Sequence, residues 1–251
     1  MSWFSANKLS LSLAKSNFII FHGKKKNPAA HIQAMSIGSE TITRTKSFKY
    51  IGVTLDEKLT WNDHINNICS SLQPFFGIFY NIRNYINKPI ARSLYFATIY
   101  LRIKYGIEVF GCASLKSLNK LQVMQNKLMK ILLRKEKTTS TNELHRDLSI
   151  LKVEDIYKIS ILSFVHDNLN NDPIAPFCEY FKYRRSTHMH ETRGRNDLEC
   201  PKIKTEIGRG TIKFQGCTLW NSLPGDQRNI TYKRSFVKQT TKSLLDSYTS
   251  V

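Results

Sequence analysis

The amino-acid sequence predicts an α+β fold, a small amino-terminal β corner followed by a mainly helical region. Three observations lead there. Short runs of strand composition are confined to the first 60 residues, apolar residues recur at alternating steps of four and three from Trp61 onward, and Pro, Gly and Asn punctuate the helical stretches. With 251 residues the chain can bury a sizeable core, as one large domain or two modest ones.

Residues 2–13 read as a short amphipathic helix. The apolar run 17–21, NFIIF, has strand composition and stops at Gly23 and the triplet Lys24, Lys25 and Lys26, which suits an edge. Residues 37–42, around Gly38, and 48–53 supply two further short strands. From there Trp61, Ile65, Ile68, Leu72, Phe75, Phe79 and Ile82 line one stripe of a helix. Pro74 inside it removes a backbone donor and crowds the preceding turn, so a kink or a break into two helices is expected. Pro89 suits a first helical turn, and Ile90, Leu94, Ala97 and Leu101 predict the inward stripe of a second helix ending before Gly106.

A third helix is expected over 115–134. There Leu118, Leu121, Met124, Leu128, Ile131 and Leu132 are predicted to point inward, while Lys116, Lys120, Lys127, Lys130 and Arg134 populate the opposite side. Residues 135–141 form a polar connection, and 153–169 give another helix that Asn170, Asn171, Asp172 and Pro173 end. Low periodicity follows, including the basic loop 183–195. A last helix over 233–248 stands after the LWNSLP turn at 219–224.

The formal net charge is +19. Such an excess attracts polyanions by releasing their condensed counterions, which makes nucleic acid the leading partner class. Residues 1–135 hold 20 Lys and Arg against 5 acids, and 136–251 hold 18 against 14, so the basic surface belongs mainly to the first half. The lysine face of the third helix reads equally as a solvated face and as a phosphate track. No basic helix carries the dense aromatic face of membrane-surface helices, no apolar run approaches the ~20 residues of a membrane span, and the start has no apolar signal region. No membrane partner is expected, and the location expected is nuclear or cytoplasmic.

Five cysteines, Cys69, Cys112, Cys178, Cys200 and Cys217, are widely spaced and form no C-x-x-C pair, which argues against a disulfide scaffold or zinc ribbon and for a reducing compartment. Cys178, His188, His190 and Cys200 lie too far apart for a usual zinc set, so no metal is assigned. HRDL at 145–148 imitates a kinase catalytic loop, but Lys152 stands where an Asn is needed and the glycine-rich loop and DFG are absent. Asp147 therefore reads as a capping or surface acid. No G-x-G-x-x-G, Walker A, H-E-x-x-H or G-x-S-x-G motif occurs, and no catalytic residue is assigned.

Residues 49–65, KYIGVTLDEKLTWNDHI, interleave aromatic, glycine, acid, tryptophan and histidine at spacings that amphipathic packing alone does not require. Tyr50, Gly52, Asp56, Leu59, Trp61, His64 and Ile65, with Ile51 for a common Leu, resemble the segment that closes the palm and opens the thumb in reverse transcriptases of non-LTR (LINE-type, jockey-like) retrotransposons. Residues 3–21 resemble the helix and strand after that family's catalytic hairpin. Asn7, Leu9 and Lys15 match its pattern, and Ser16 stands where Thr is usual. LYFATIYLRIKYGIEVFG at 94–111, LNKLQVMQNKLMKILL at 118–133 and LWNSLP before a helix bearing Phe236 resemble, in the same order, the thumb and the segment after it.

The resemblance implies the end of a polymerase palm over 1–60, a helical thumb-like region over 61–137 and a mainly helical carboxy-terminal segment with a basic loop over 138–251. The complete family enzyme is an RNA-directed DNA polymerase using two magnesium ions held by palm aspartates. No Asp-Asp dipeptide occurs here, so the chain alone is expected to be catalytically inactive, without a cofactor, and to partner a missing amino-terminal polymerase part. What remains is backbone binding to template and primer, as RNA, DNA or hybrid. Its expected residues are Lys15, Lys24, Lys25, Lys26, Lys49, Tyr50, Gly52, Lys116, Lys120, Lys127 and Lys130. Lys15 matches a residue viewed in the family as a proton donor to departing pyrophosphate, and without an active site it reads as a surface charge. Residues 50–56 match the region that steadies the primer terminus, and read alone they are a tight turn around Gly52. Trp61 reads as packing; His64 stays open between packing and function. Two alternatives stand beside this reading: a helical adaptor whose charge is incidental, and a decayed transposon fragment without function.

Overall fold

In a computed structural model of the chain, residues 3, 6–8, 12, 16–23, 30–37, 40–170, 175–187 and 194–249 are described. Most of the helix expected over 2–13, Lys15, the triplet Lys24, Lys25 and Lys26, and much of the basic loop lie outside them. The fold is α+β. It divides into two compact units, Met1–His64 and Ile65–Val251.

The first unit is built on two antiparallel hairpins, β1 (Ala34–Ile37) with β2 (Glu40–Thr43) and β3 (Ser47–Tyr50) with β4 (Val53–Asp56). Each run expected as a single strand, 37–42 and 48–53, is thus split between two strands. In the second the chain reverses at Ile51 and Gly52, whose φ angles of 44° and 80° give the two left-handed positions of a primed hairpin turn. Residues 17–21 do not form the expected edge strand. Phe18 alone makes a parallel bridge, with Arg44, while the His22 amide donates to the Glu57 carbonyl at 3.0 Å. The run crosses from one hairpin to the other, so it never accumulates a ladder with either.

Asp56 organises the exit from β4. Its carboxylate accepts from the backbone N–H groups of Lys58, Thr60 and Trp61 at 3.1, 3.0 and 2.8 Å. Those bonds hold a loop in which Leu59 and Trp61 adopt φ of 51° and 64°, conformations that L-residues take only when their surroundings enforce them. Trp61 is buried, as its position on the stripe predicts. The Thr54 amide donates to His64 Nδ1 at 3.3 Å, tying β4 to the start of the next helix. Burial, then the nearby Lys49 charge, lowers the His64 pKa. His64 is therefore held in a structural bond in its neutral form.

The second unit is helical, and the break at Pro74 divides the expected long helix into α1 (Asn62–Leu72) and α2 (Phe75–Ile82). Next come α3 (Lys88–Tyr95), a π turn (Phe96–Tyr100), α4 (Leu101–Lys104) and α5 (Ile107–Phe110). Then follow α6 (Leu115–Leu132), α7 (Thr141–Leu148), α8 (Val153–Asn170) and α9 (Arg184–Thr187). The chain closes with α10 (Glu206–Arg209), α11 (Ile212–Asn221), α12 (Gly225–Arg228) and α13 (Lys233–Asp246). LWNSLP is not wholly a turn, since Leu219 to Asn221 complete α11. The Asn87 side chain caps α3 by accepting from Ile90 N, with Pro89 in the first turn.

The inward stripe expected on α3 is wrong. Ile90 and Leu101 are exposed, and Ala91, Tyr95, Ile99 and Ile103 are the buried set. These four repeat at steps of four, which drift by about 40° per step on an ideal helix. The π turn between Phe96 and Tyr100 widens the winding and keeps them on one side. Tyr95 can be buried because Gln125 of α6 donates to its hydroxyl at 2.7 Å.

α8 is the central helix. Ile156, Ile159, Ile161, Leu162 and Val165 are buried around its circumference, against α6, α11 and α13. His166 stacks on Phe236 of α13 with centroids 4.6 Å apart, and Trp220 of α11 lies 5.7 Å from the same Phe236 ring. These contacts place the Trp of LWNSLP in the core.

Candidate nucleic-acid interface

α6 has a two-faced sequence. Leu121, Gln125, Leu128, Met129 and Leu132 are buried. Of the residues expected inside, Met124 and Ile131 are only half-buried and Leu118 likewise. Gln125 takes an inward place because Tyr95 and the Leu151 carbonyl both accept from its amide. On the other side Lys116, Lys120, Lys127 and Lys130 fall within an arc of about 80° and along about 21 Å of axis, and Arg134 follows just past the helix end with φ of 54°.

α2 packs beside α6. Its Phe79 points into the core, while Phe76, Tyr80 and Arg83, at steps of four and three, lie on the side facing a groove against α6. One stretch of that groove, about 1040 Å³, is lined by residues including Phe76, Tyr80, Arg83, Lys127, Lys130 and Arg134. A second, about 620 Å³, adds Lys116, Lys120, Asn66 and Cys69. Both share Phe76, Val123 and Lys127, so they form one continuous depression. Among the described residues no acid lines either stretch.

The cations differ in how they are held. Lys120 Nζ lies 3.4 Å from Asn66 Oδ1, and Lys130 Nζ donates to the Lys137 carbonyl at 2.5 Å. Lys135 is committed to Glu143 and Asp147, at 2.9 and 3.2 Å, and both bonds raise its pKa. Asp147 of HRDL is accordingly an ion-pair acid on α7. Arg83 sits with its guanidinium carbon 3.8 Å from the Tyr80 ring centroid. Burial raises the pKa of the Cys69 thiol, an effect that Lys120 opposes.

The structure thus gathers Lys116, Lys120, Lys127 and Lys130 along one groove. Lys49, Tyr50 and Gly52 lie instead at the tip of the β3–β4 hairpin in the other unit, where Lys49 and Tyr50 are exposed. Lys15, Lys24, Lys25 and Lys26 lie outside the described residues. Sequence reasoning missed Phe76, Tyr80 and Arg83. They form a stripe about a quarter turn from Phe75 and Phe79 on the same helix, and nothing in the sequence alone sets that stripe beside α6. Among the described residues no group of three His, Cys, Asp or Glu side chains is placed to hold a metal ion, and no helix is long and apolar enough to cross a membrane.

Comparison with known proteins bears out the family resemblance. The probable RNA-directed DNA polymerase from transposon X-element of Drosophila melanogaster is 28% identical over 174 residues, 66% of this chain and 18% of that protein. The RNA-directed DNA polymerase from mobile element jockey of the same species is 26% identical over 132 residues, 51% of this chain and 14% of that protein. The chain is a relative of these mobile-element polymerases. The probable RNA-directed DNA polymerase from transposon BS of D. melanogaster is 28% identical over 110 residues, 43% of this chain and 12% of that protein. The chain therefore spans less than a fifth of the length of the curated relatives it matches. No family model matches it, and no solved structure does.

Proposed function

We propose that this chain is the nucleic-acid-gripping portion of a non-LTR retrotransposon reverse transcriptase, the end of a palm followed by thumb-like and carboxy-terminal helices. It binds template and primer backbones without polymerising by itself. One observation carries the reading: four lysines of α6, Arg134 just past its end and Arg83 of α2 line a groove that no acid among the described residues lines, in a chain of net charge +19. Phosphates entering the groove displace counterions from both sides, and the contacts carry no base information.

The described residues offer no site for the two magnesium ions of the complete family enzyme. No acid cluster assembles among the described residues, and Asp56, the acid of the matching motif, spends its carboxylate on three backbone amides. The polymerase activity is accordingly assigned to acids elsewhere, in an amino-terminal polymerase part that would be this chain's protein partner. A nuclear or cytoplasmic location fits the nucleic-acid reading.

The test is a fluorescence-anisotropy titration of the full chain with labelled oligonucleotides at several salt concentrations. Affinity that falls steeply with salt and changes little with sequence is expected. Affinity independent of salt would sink the reading. One observation favours a helical adaptor instead: Ile90, Leu101, Tyr105 and Val109 are exposed along α3 to α5. Retention of a protein partner from nuclease-treated lysate, lost on Leu101→Lys, would support that second reading.

A further inference from the structure

We propose that the α2–α6 groove accepts a single strand of nucleic acid, with a base stacked on the Tyr80–Arg83 pair. This rests on the nucleic-acid reading above and narrows it to the form of strand bound. A duplex presents phosphates outward and hides its bases, so cations alone would suffice to grip it. The groove has more than cations. Phe76, Tyr80, Val123 and Ile131 line it alongside Arg83 and the α6 lysines, giving it an apolar floor that a duplex backbone would leave unused and that unpaired bases would cover.

Tyr80 is 56% exposed although it directly follows the buried Phe79. The Arg83 guanidinium carbon lies over the Tyr80 ring, 3.8 Å from its centroid, and no acid among the described residues pairs with Arg83. Planar ring and planar cation together make a preformed stacking surface that already carries positive charge. The geometry of α6 sets the extent of the track. Lys116 to Lys130 cover about 21 Å, which at about 3.4 Å per stacked nucleotide corresponds to about six nucleotides. An acidic amphipathic helix is the competing occupant. Such a helix needs a continuous apolar seam for its anchors, and here Asn84, Asn126 and Lys127 interrupt the floor.

The experiment compares anisotropy titrations of the full chain with a labelled twelve-nucleotide thymidine strand and with a mixed-sequence duplex of the same length. Tyr80→Ala is expected to weaken single-strand binding by about 5- to 150-fold, the range for loss of one stacked base, and to leave duplex binding unchanged. Tyr80→Phe should keep the parent affinity. Lys127→Ala should weaken both ligands and reduce both salt slopes. Because Tyr80 is exposed, its variants keep the parent thermal unfolding curve, which is measured alongside. Equal loss for strand and duplex, or no loss for either, overturns the stacking site while leaving the phosphate track intact. If neither ligand binds with salt dependence, the nucleic-acid reading itself fails. Binding of a labelled acidic amphipathic peptide that Tyr80→Ala abolishes, with no binding of the thymidine strand, would identify the groove as a peptide site and overturn the proposal.

Discussion

Gln125 Nε2 donates to the Tyr95 hydroxyl at 2.7 Å and to the Leu151 carbonyl at 3.0 Å, so one buried amide ties α3 and α6 to the segment entering α8. Its Oε1 in turn accepts from Gln122. Gln125→Leu keeps the volume and leaves two buried groups short of a donor, a loss expected to be about 2 to 4 kcal/mol. Tyr95→Phe, which removes one acceptor cleanly, should cost about 1 kcal/mol, and the double variant should lose less than the two singles added. Urea unfolding of the four proteins measures the coupling. Strict additivity would show that the amide does not act on Tyr95.

Gln125 and Tyr95 also mark where the sequence could be read and where it could not. The stripe of α1 and α2, Trp61, Ile65, Ile68, Leu72 and Phe79, was legible because only apolar residues occupy it and Pro74 announces the break. The α3 stripe was misread because apolar residues lie on both of its sides. The true inward side contains a Tyr whose polar tip needs a partner from α6, and its register depends on a π turn that periodicity does not reveal. At the hairpins the turn around Gly52 was legible from the glycine, whereas the strand read over 48–53 ran through Ile51, since a β-branched residue is the least expected occupant of a left-handed position. In the groove the lysines of α6 were legible by spacing, whereas Tyr80 and Arg83 acquire meaning only once α2 is set beside α6.

Ile51 has φ of 44° and is 72% exposed, so it bears backbone strain with little burial in return. Ile51→Asn suits a primed turn ahead of Gly52 and should stabilise the chain by about 1 kcal/mol. Thermal unfolding checks it. A lower midpoint would show that the Ile51 side chain contributes more than its backbone costs.

Two helical-region glycines should behave in opposite ways. A Cβ at Gly111 would lie 2.2 Å from Tyr157 Cδ2 and 2.6 Å from the Ile107 carbonyl oxygen, whereas at Gly77 of α2 it would meet nothing within 4 Å. Gly111→Ala should destabilise by about 1 to 3 kcal/mol, since a buried ring and backbone must move. Gly77→Ala should stabilise by up to about 1 kcal/mol through helix propensity. Chemical unfolding of the two variants should move the midpoint in opposite directions.

Salt dependence offers a count of the groove's phosphate contacts. If Lys127 and Arg134 each neutralise one phosphate, Lys127→Ala and Arg134→Ala should each lower the slope of log affinity against log salt by about 0.7 to 0.9. Lys135→Ala should leave that slope unchanged, because Glu143 and Asp147 already engage the ammonium. Lys135 also lines the groove, so an effect of Lys135→Ala equal to that of Lys127→Ala would show that Glu143 and Asp147 do not withhold its ammonium from phosphate.

His145 makes the fold sensitive to acid. The imidazole is fully buried on α7, with Nδ1 3.0 Å from the Ile150 carbonyl and Nε2 2.9 Å from Asn126 Oδ1. Burial pushes its pKa down to about 4 from the ordinary 6.5; the Ile150 carbonyl and Asp155 oppose the shift, and Lys152 adds to it. The folded state thus holds the ring neutral where the unfolded chain takes up a proton. Its contribution is complete above pH 6.5 and is lost as the pH falls toward 4, by at most about 3 kcal/mol. The lowered pKa of His64 acts in the same direction. His145→Gln removes the titrating group, so its stability should be lower than the parent's at pH 7 and should converge on it as the pH approaches 4. Urea midpoints of both proteins at pH 7, 5.5 and 4.5 measure the convergence, and parallel curves across that range would show that His145 is protonated equally easily in both states.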